Sequence, residues 1–207
     1  MNNSALVVVD MQNDFCPGGN LAVEDGDKVV PVINKVIPYF QLIVFTQDWH
    51  PKDHVSFASM HENAEVNDII TIDNIEQVMW PDHCVQNTKG AEFHPDLNTK
   101  PAHAFIRKGF RKGLDSYSAF FENDKKTPTG LRGYLKELGT QNVYVAGLAT
   151  DYCVHFTAMD AISQGFTTYI IEEAVRGVDF PKGNIEKTLD KFKQAGGKLI
   201  SERDITS

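Results

Sequence analysis

The chain has 207 residues, of which 42% are hydrophobic and 23% charged, as in an ordinary globular protein with one sizeable core. A formal net charge of −8 at pH 7 argues against a nucleic-acid backbone as partner, and no apolar segment approaches the ~20 residues that a membrane span needs. The three cysteines, Cys16, Cys84 and Cys153, are too scattered for a disulfide framework. Because no segment near the N-terminus resembles a secretion signal, we expect a cytoplasmic protein.

Short apolar runs alternate with helical periodicities along the chain. The first run ends at Asp10, and the hydrophobic residues that follow, at 29–40, recur at helical spacing. Each later apolar run is again short and bounded by polar residues or glycine, as in the strands of a parallel sheet that is covered on both faces. The pattern predicts strands at 5–9, 42–46, 102–109, 142–147, 167–171 and 198–201, and helices at about 27–40, 131–138, 151–164 and 184–195.

This alternation predicts an α/β fold, a doubly wound three-layer sandwich in which helices cover both faces of a six-stranded parallel sheet. The chain shows no repeat, low-complexity tract or linker, so residues 1–207 are expected to form one domain. One long segment, at about 47–101, departs from the pattern because it has little periodicity and is rich in His, Asp, Asn and Pro. Long irregular segments usually have a function, which here would be to bind a metal and form a pocket.

Two ionisable residues lie where the first and fourth predicted strands end. Asp10 directly follows the first strand, at the edge where α/β sheets place their chemistry, although a solvated turn or helix cap is an alternative. Cys153, in "VAGLATDYCVHF", lies in the first turn of a helix, whose free N–H groups and dipole favour a thiolate and can hold an oxyanion. A small buried apolar residue is the alternative for Cys153, and it is the role we expect for Cys16 and Cys84.

A cysteine nucleophile needs a base, and two residues at the same sheet edge are candidates to assist it. Strands one and four can be neighbours in a doubly wound sheet, which would bring Asp10 to Cys153. Lys108 ends the third strand on the same rim, but the basic stretch "RKGFRKG" at 107–113 by itself favours a solvated charge. The residues alone therefore indicate a cysteine hydrolase without settling its catalytic partners.

Histidines and aspartates in the irregular segment offer a metal site. Asp48 and His50 are two residues apart, so in an extended chain their side chains point to one side. With His83 they make a His₂–carboxylate set, which suits zinc, iron or manganese with open coordination positions, and His54 is a fourth candidate. A polar loop that is merely rich in histidine is the alternative.

Five blocks of the sequence together resemble the nicotinamidases, a group of isochorismatase-like cysteine hydrolases. They occur in the family's order between residues 7 and 154, as "VVVDMQNDF", "TQDWHPKDHVSF", "WPDHCVQNTKGAEFHPDL", "IRKGFRKGLDSYSAFF" and "GLATDYCV", within a resemblance that runs from residue 6 to beyond residue 155. The resemblance implies the six-stranded parallel sheet and one reaction, the conversion of nicotinamide to nicotinate and ammonia through a cysteine thioester, in NAD salvage. Members of the family commonly hydrolyse pyrazinamide as well.

The resemblance also implies catalytic roles for the matched residues. Cys153 corresponds to the nucleophile, Asp10 to the base that takes the thiol proton, and Lys108 to the third member of the triad. The family has a cis peptide before the alanine of "GLATD", here Leu148–Ala149. This peptide would turn the Ala149 N–H inward beside the Cys153 N–H to form an oxyanion hole.

The binding residues implied by the resemblance fall into two sets. One set holds a single divalent metal ion, zinc by first expectation, and consists of Asp48, His50 and His83. The other set surrounds the substrate ring and consists of Phe15, Trp80 and Tyr117. His54 matches a position that ligates metal only in some relatives and is left out of the set.

Other interpretations stay open on the sequence. A metal-independent isochorismatase-like or carbamoyl-amide cysteine hydrolase would keep the fold and the triad. A zinc-water hydrolase would make the metal the catalyst and Cys153 a structural residue. A non-enzymatic binding protein on this fold would use neither the triad nor a catalytic metal. A monomer and a homo-oligomer are both compatible with the sequence, as are nicotinamide and pyrazinamide as preferred substrates. The stretch at 60–79 is where members of the family differ most, and it is a candidate to shape the mouth of the pocket.

Overall fold

Six parallel strands form one sheet through the centre of the computed structural model, which describes residues 1–207. In chain order the strands are β1 Ser4–Val9, β2 Leu42–Asp48, β3 Ile69–Ile72, β4 Ile75–Val78, β5 Ala104–Lys108, β6 Asn142–Leu148, β7 Thr167–Arg176 and β8 Lys198–Ile200. All except β3 and β4 belong to this sheet, in the order β5–β2–β1–β6–β7–β8. The order reverses between β1 and β6, which is where doubly wound sheets bind their ligands. The predicted sandwich with six parallel strands is confirmed.

Helices cover both faces of the sheet. One face carries α1 Val29–Val36 and α5 Arg203–Thr206, and the other carries α2 Leu131–Glu137, α3 His155–Ser163 and α4 Asn184–Gln194. Alternate residues of β1 point to the two layers, since Leu6 and Val8 pack with α1 whereas Val7 and Val9 pack with α2 and α3. None of these helices combines the length and the apolar character that crossing a membrane requires.

Two helix boundaries differ from the predicted ones for physical reasons. The first helix ends at Val36 because Pro38 has no N–H to continue the helical hydrogen bonds, and the chain goes on as a single 3₁₀ turn. The helix predicted from residue 151 begins at His155, after a π-helical turn, Thr150–Val154, that contains Cys153. Single π turns of this kind are often found at functional sites.

The stretch at 60–79 contains an antiparallel hairpin that the sequence analysis did not predict. Strands β3 and β4 are joined by Asp73 and Asn74, whose φ angles of 49° and 65° are those that a two-residue hairpin turn requires. The side-chain amide of Gln77, in β4, donates at 2.8 Å to Oδ2 of the buried Asp115. The hairpin therefore supports the wall of the pocket described below, and β4 leads into Trp80 of that wall.

Candidate active site

The adjacency of β1 and β6 brings Asp10 and Cys153 together at the carboxyl edge of the sheet. Asp10 follows the last residue of β1 with a φ of 46°, which turns its carboxylate away from the strand direction. Cys153 follows β6 in the π-helical turn. Carboxylate oxygens of Asp10 and Asp48 and the Sγ atom of Cys153 all lie within 4.8 Å of one another. The structure thus places Asp10 within reach of the Cys153 thiol, as the strand order predicts.

Lys108 is completely buried among these groups and is not a solvated charge. Its Nζ atom lies 2.8 Å from Oδ2 of Asp10 and donates at 2.5 Å to Oδ1 of Asp48. It also donates to the Ser116 carbonyl oxygen at 2.9 Å and to Sγ of Cys153 at 3.4 Å. The solvated alternative that the basic stretch favoured is therefore wrong, because two buried carboxylates compensate the charge of this ammonium group.

The electrostatic surroundings suit Asp10 as a proton acceptor. Burial raises the pKa of the Asp10 carboxyl to about 6, although the Lys108 ammonium lowers it in part. Burial also raises the pKa of the Cys153 thiol, and Lys108 offsets only part of that rise. Thr46 donates to Oδ1 of Asp10 at 2.6 Å, whereas Oδ2 receives no aligned hydrogen bond. At neutral pH the pair is a thiol beside a carboxylate with a free lone pair.

Asp48, His50 and His83 present metal-ligating atoms to a common point. One oxygen or nitrogen from each lies within 4.8 Å of the others. Nδ1 of His50 donates to the Gly109 carbonyl oxygen at 2.8 Å, and Nδ1 of His83 donates to that of Pro81 at 2.7 Å. These carbonyl acceptors fix the tautomer of each ring and leave both Nε2 atoms free, as in histidines that bind metals.

The charge states of these residues also suit a divalent cation. Burial would raise the pKa of Asp48, but the Lys108 charge beside it holds that pKa below its usual range, so the carboxylate is ionised. Burial lowers the pKa of His83 to about 4, so its imidazole is neutral at pH 7. His50 differs, since burial lowers its pKa but the adjacent Asp48 carboxylate raises it above its usual value, so a bound cation would compete with a proton for this ring. A carboxylate and neutral imidazoles are the protonation states in which these side chains coordinate metals.

His54 lies beside this set but both of its ring nitrogens are engaged. Nε2 faces the Leu114 carbonyl oxygen at 3.3 Å and must therefore donate, and Nδ1 accepts from Oγ of Ser56 at 2.7 Å. The ring stacks on His50 with a centroid separation of 4.2 Å. In this arrangement His54 supports the orientation of His50.

A cavity with a largely apolar wall opens above Cys153. All three predicted ring-binding residues line it, together with the three candidate metal ligands and with Ala149 and Cys153. Nε1 of Trp80 donates to the Tyr117 hydroxyl at 3.1 Å, which fixes the two aromatic side chains relative to each other. The lining residues that the sequence analysis missed are Leu21, Asp115, Tyr152 and Val178. Asp115 and Tyr152 lie inside two of the five sequence blocks, "IRKGFRKGLDSYSAFF" and "GLATDYCV", so their positions in those blocks could have indicated them.

The backbone at the end of β6 supplies a free donor to this cavity. The Leu148–Ala149 peptide is cis, as the resemblance implied. The Ala149 N–H has no acceptor within the protein, and both Ala149 and Cys153 line the cavity. A free N–H next to a nucleophile is the arrangement that stabilises a developing oxyanion.

Comparison with known proteins settles the family. The model of the isochorismatase domain matches residues 4–204, nearly the whole chain. The chain belongs to the isochorismatase family. A protein from Acinetobacter baylyi that is named nicotinamidase is 48% identical over 204 residues, which cover 99% of this chain and 95% of that protein.

Two solved structures of the isochorismatase family superpose closely. A nicotinamidase and pyrazinamidase from Acinetobacter baumannii is 52% identical, with a TM-score of 0.97 and 99% coverage of both chains. A pyrazinamidase from Pyrococcus horikoshii in complex with zinc is 39% identical, with a TM-score of 0.79 and coverage of 96% of this chain and 99% of that one. The resemblance seen in the five sequence blocks is confirmed.

Proposed function

We propose that this protein is a hydrolase that converts nicotinamide to nicotinate and ammonia through a thioester on Cys153, as a step of NAD salvage. The proposal is carried by one arrangement, the Cys153 thiol at the floor of an aromatic-lined cavity with Asp10 and Lys108 buried beneath it. Relatives named nicotinamidase at 48% and 42% identity over nearly the whole chain support the same activity. Pyrazinamide, an aromatic amide of similar size, is a second expected substrate, since relatives are named for both activities.

The proposed reaction proceeds in two stages on the residues of this site. The ring lies among Phe15, Trp80 and Tyr117, and Asp10 takes the thiol proton as Sγ of Cys153 attacks the amide carbon. Asp10 then gives the proton to the departing ammonia, which leaves a thioester. Water attacks the thioester with Asp10 again as base, and nicotinate and the free thiol are released.

Two backbone N–H groups and the Lys108 ammonium group would stabilise the charges that develop. The Ala149 and Cys153 N–H groups donate to the oxyanion of both tetrahedral intermediates, and one such donor is typically worth about 3 kcal/mol of barrier. Lys108 keeps a positive charge 3.4 Å from Sγ, which favours the thiolate once the proton has moved to Asp10. Because Lys108 also contacts Asp48, it joins the catalytic group to the candidate metal site.

Asp48, His50 and His83 would hold one divalent metal ion in this reaction. Their free Oδ2 and Nε2 atoms and their charge states fit such an ion, with zinc as first choice and iron or manganese as alternatives. When bound, the ion supplies a Lewis-acidic position that can take the pyridine nitrogen and orient the substrate. His54 is not included in the set, because both of its ring nitrogens are already hydrogen-bonded.

The whole chain would act as one domain. The family model spans 4–204, and we propose that residues 1–207 form a single hydrolase domain in which the segment at about 47–101 supplies metal and pocket residues. That segment contains His50, Trp80 and His83 of the cavity wall. A cytoplasmic location agrees with three cysteines that are all free and buried.

The first test is ammonia release from nicotinamide by protein purified without chelator, with and without prior iodoacetamide. We expect rapid release that iodoacetamide abolishes, with mass spectrometry locating the label on Cys153. Release that survives complete labelling of Cys153 would contradict the thioester mechanism. No release from zinc-loaded protein would contradict nicotinamide as substrate, and carbamoyl amides would be tested next.

His83→Ala is expected to lower zinc occupancy sharply and to raise KM for nicotinamide, because it removes one of three ligands. Metal analysis after gel filtration and steady-state kinetics measure the two effects. His94→Ala is the control, since His94 is a half-buried histidine outside the cavity and should leave both quantities unchanged. Equal zinc content in His83→Ala and the unmodified protein would remove His83 from the ligand set.

A further inference from the structure

The side-chain amide of Gln12 lies against the backbone of Asp48, deep in the protein. Oε1 of Gln12 accepts the Asp48 N–H at 2.8 Å, and Nε2 donates to the Asp48 carbonyl oxygen at 2.8 Å. The second proton of Nε2 goes to the carbonyl oxygen of Ala91 at 2.9 Å. Gln12 is 0% exposed and Asp48 is 4% exposed, so the bonds are shielded from competing solvent. Every hydrogen-bonding proton of this amide is therefore used.

This contact fills a gap in the sheet. Pairing between β1 and β2 ends at Phe45, and Asp10 then turns the chain away, whereas β2 continues for three more residues to Asp48. On its other side, Asp48 pairs with Lys108 of β5. The N–H and C=O groups of Asp48 face the gap that β1 leaves. The amide of Gln12 binds both groups, as the peptide group of a neighbouring strand would.

The position of Asp48 matters because its two carboxylate oxygens face different parts of the site. Oδ1 accepts the hydrogen bond from Lys108, whose ammonium group also contacts Asp10 and Cys153. Oδ2 lies 3.6 Å from Nε2 of His50, on the side of the candidate metal ligands. A shift of the Asp48 backbone would therefore move a metal ligand and a support of the catalytic ammonium group together.

We propose that Gln12 is the positioning residue that sets the direction of the Asp48 carboxylate. Through Asp48 it fixes the position of the candidate metal ligands relative to the catalytic group. This inference rests on the proposed function only in taking Asp48 as a metal ligand. Gln12 itself touches neither the cavity nor the thiol, and acts through the Asp48 backbone.

The test compares Gln12→Met with Gln47→Met in metal-free protein titrated with zinc against a competing chelator. Gln47 is the matched control, because it is also buried and donates to the same Ala91 oxygen at 2.8 Å, yet its amide makes no hydrogen bond to Asp48. We expect Gln12→Met to weaken zinc binding by about 10- to 100-fold, the usual cost of losing a group that orients a metal ligand. Gln47→Met should bind zinc as the unmodified protein does.

Hydrogen exchange gives a readout that does not depend on the metal. The Asp48 amide proton should exchange faster in metal-free Gln12→Met, because Oε1 no longer accepts it, and at the normal rate in Gln47→Met. If Gln12→Met does not fold, Gln12→Asn is the deciding variant, since it keeps a neutral amide but is one methylene too short to reach both the N–H and the C=O of Asp48 in this geometry. It too should weaken zinc binding.

Two results would overturn the inference. Unchanged zinc affinity in the folded Gln12 variant would show that Asp48 needs no such support, and equal weakening in Gln47→Met would assign the effect to the shared Ala91 contact. Both measurements are of binding and exchange, not of turnover. A failure of nicotinamide hydrolysis in the zinc-loaded unmodified protein would therefore be recognised separately.

Discussion

Replacing Cys153 with alanine is expected to lower kcat for nicotinamide by about 10⁴-fold or more, because loss of a nucleophile leaves only binding and oxyanion contributions to catalysis. The change removes one sulfur atom, whose polar contact is the long one from Lys108 at 3.4 Å. Lys108 keeps its contacts with Asp10 and Asp48, and the metal-ligating atoms are untouched. Zinc content and the melting temperature should therefore stay close to those of the unmodified protein.

Cys16→Ala is the matched control for this prediction. Cys16 is likewise a buried free cysteine, but it lies outside the cavity, and burial raises the pKa of its thiol to about 11. Steady-state kinetics should find Cys16→Ala as active as the unmodified protein. Substantial turnover by Cys153→Ala that disappears when the metal is removed would instead support a metal-activated water as nucleophile.

The sheet was predictable because its signals are local. Residues Ala5 to Val9 are all completely buried, as a short apolar run in a two-sided parallel sheet should be. The helix ends were harder to predict from the sequence. Pro38 removes one backbone N–H, but the residue at which the helix ends depends on which carbonyl groups the preceding N–H groups bond to. The hairpin of β3 and β4 was not predicted because its alternation is short and most of its residues are exposed or only partly buried, with Ile69 63% exposed.

The proposed catalytic group was only partly predictable from the residues. Asp10 and Cys153 each follow a strand, so topology alone brings them together. Lys108 stands in a basic stretch that favours solvent, and its burial depends on two carboxylates that lie 60 and 98 positions away in sequence, Asp48 and Asp10. No local pattern contains that information, and only the resemblance indicated it.

The candidate metal site illustrates a second limit of sequence reasoning. The spacing of Asp48 and His50 indicated a shared side, but the sequence cannot show which ring nitrogens are free. That depends on carbonyl groups such as those of Gly109 and Pro81, which accept from His50 and His83. The role of Gln12 was hidden for the same reason, since it arises from a mismatch in length between two strands.

Asp10→Asn tests whether Asp10 is the base, because it changes the proton-accepting group and leaves the surrounding residues in place. Asparagine has the same shape but cannot accept the thiol proton, so kcat should fall by about 10³- to 10⁴-fold, as when a general base or its orienting carboxylate is lost. Lys108 retains Asp48 and the Ser116 carbonyl oxygen as partners, and zinc content should not change. Kinetics and metal analysis of the same preparation measure both quantities.

Thr46→Val is the graded control for the Asp10 prediction. It removes the 2.6 Å hydrogen bond to Oδ1 of Asp10 and the 3.1 Å hydrogen bond that the Thr46 hydroxyl accepts from the Asp10 N–H, but it leaves the carboxylate itself in place. The kcat should therefore fall less than in Asp10→Asn. Similar losses of kcat in the two variants would mean that the geometry around Asp10 and Thr46, and not the proton-accepting oxygen of Asp10, limits the reaction.

A normal kcat in Asp10→Asn would mean that a group other than Asp10 is the base. The other titratable group in contact with Cys153 is Lys108. In the unmodified protein burial lowers the pKa of Lys108, but the Asp10 and Asp48 carboxylates raise it well above its usual value, so this ammonium group cannot serve as a base near neutral pH. This is the physical reason for assigning the proton to Asp10.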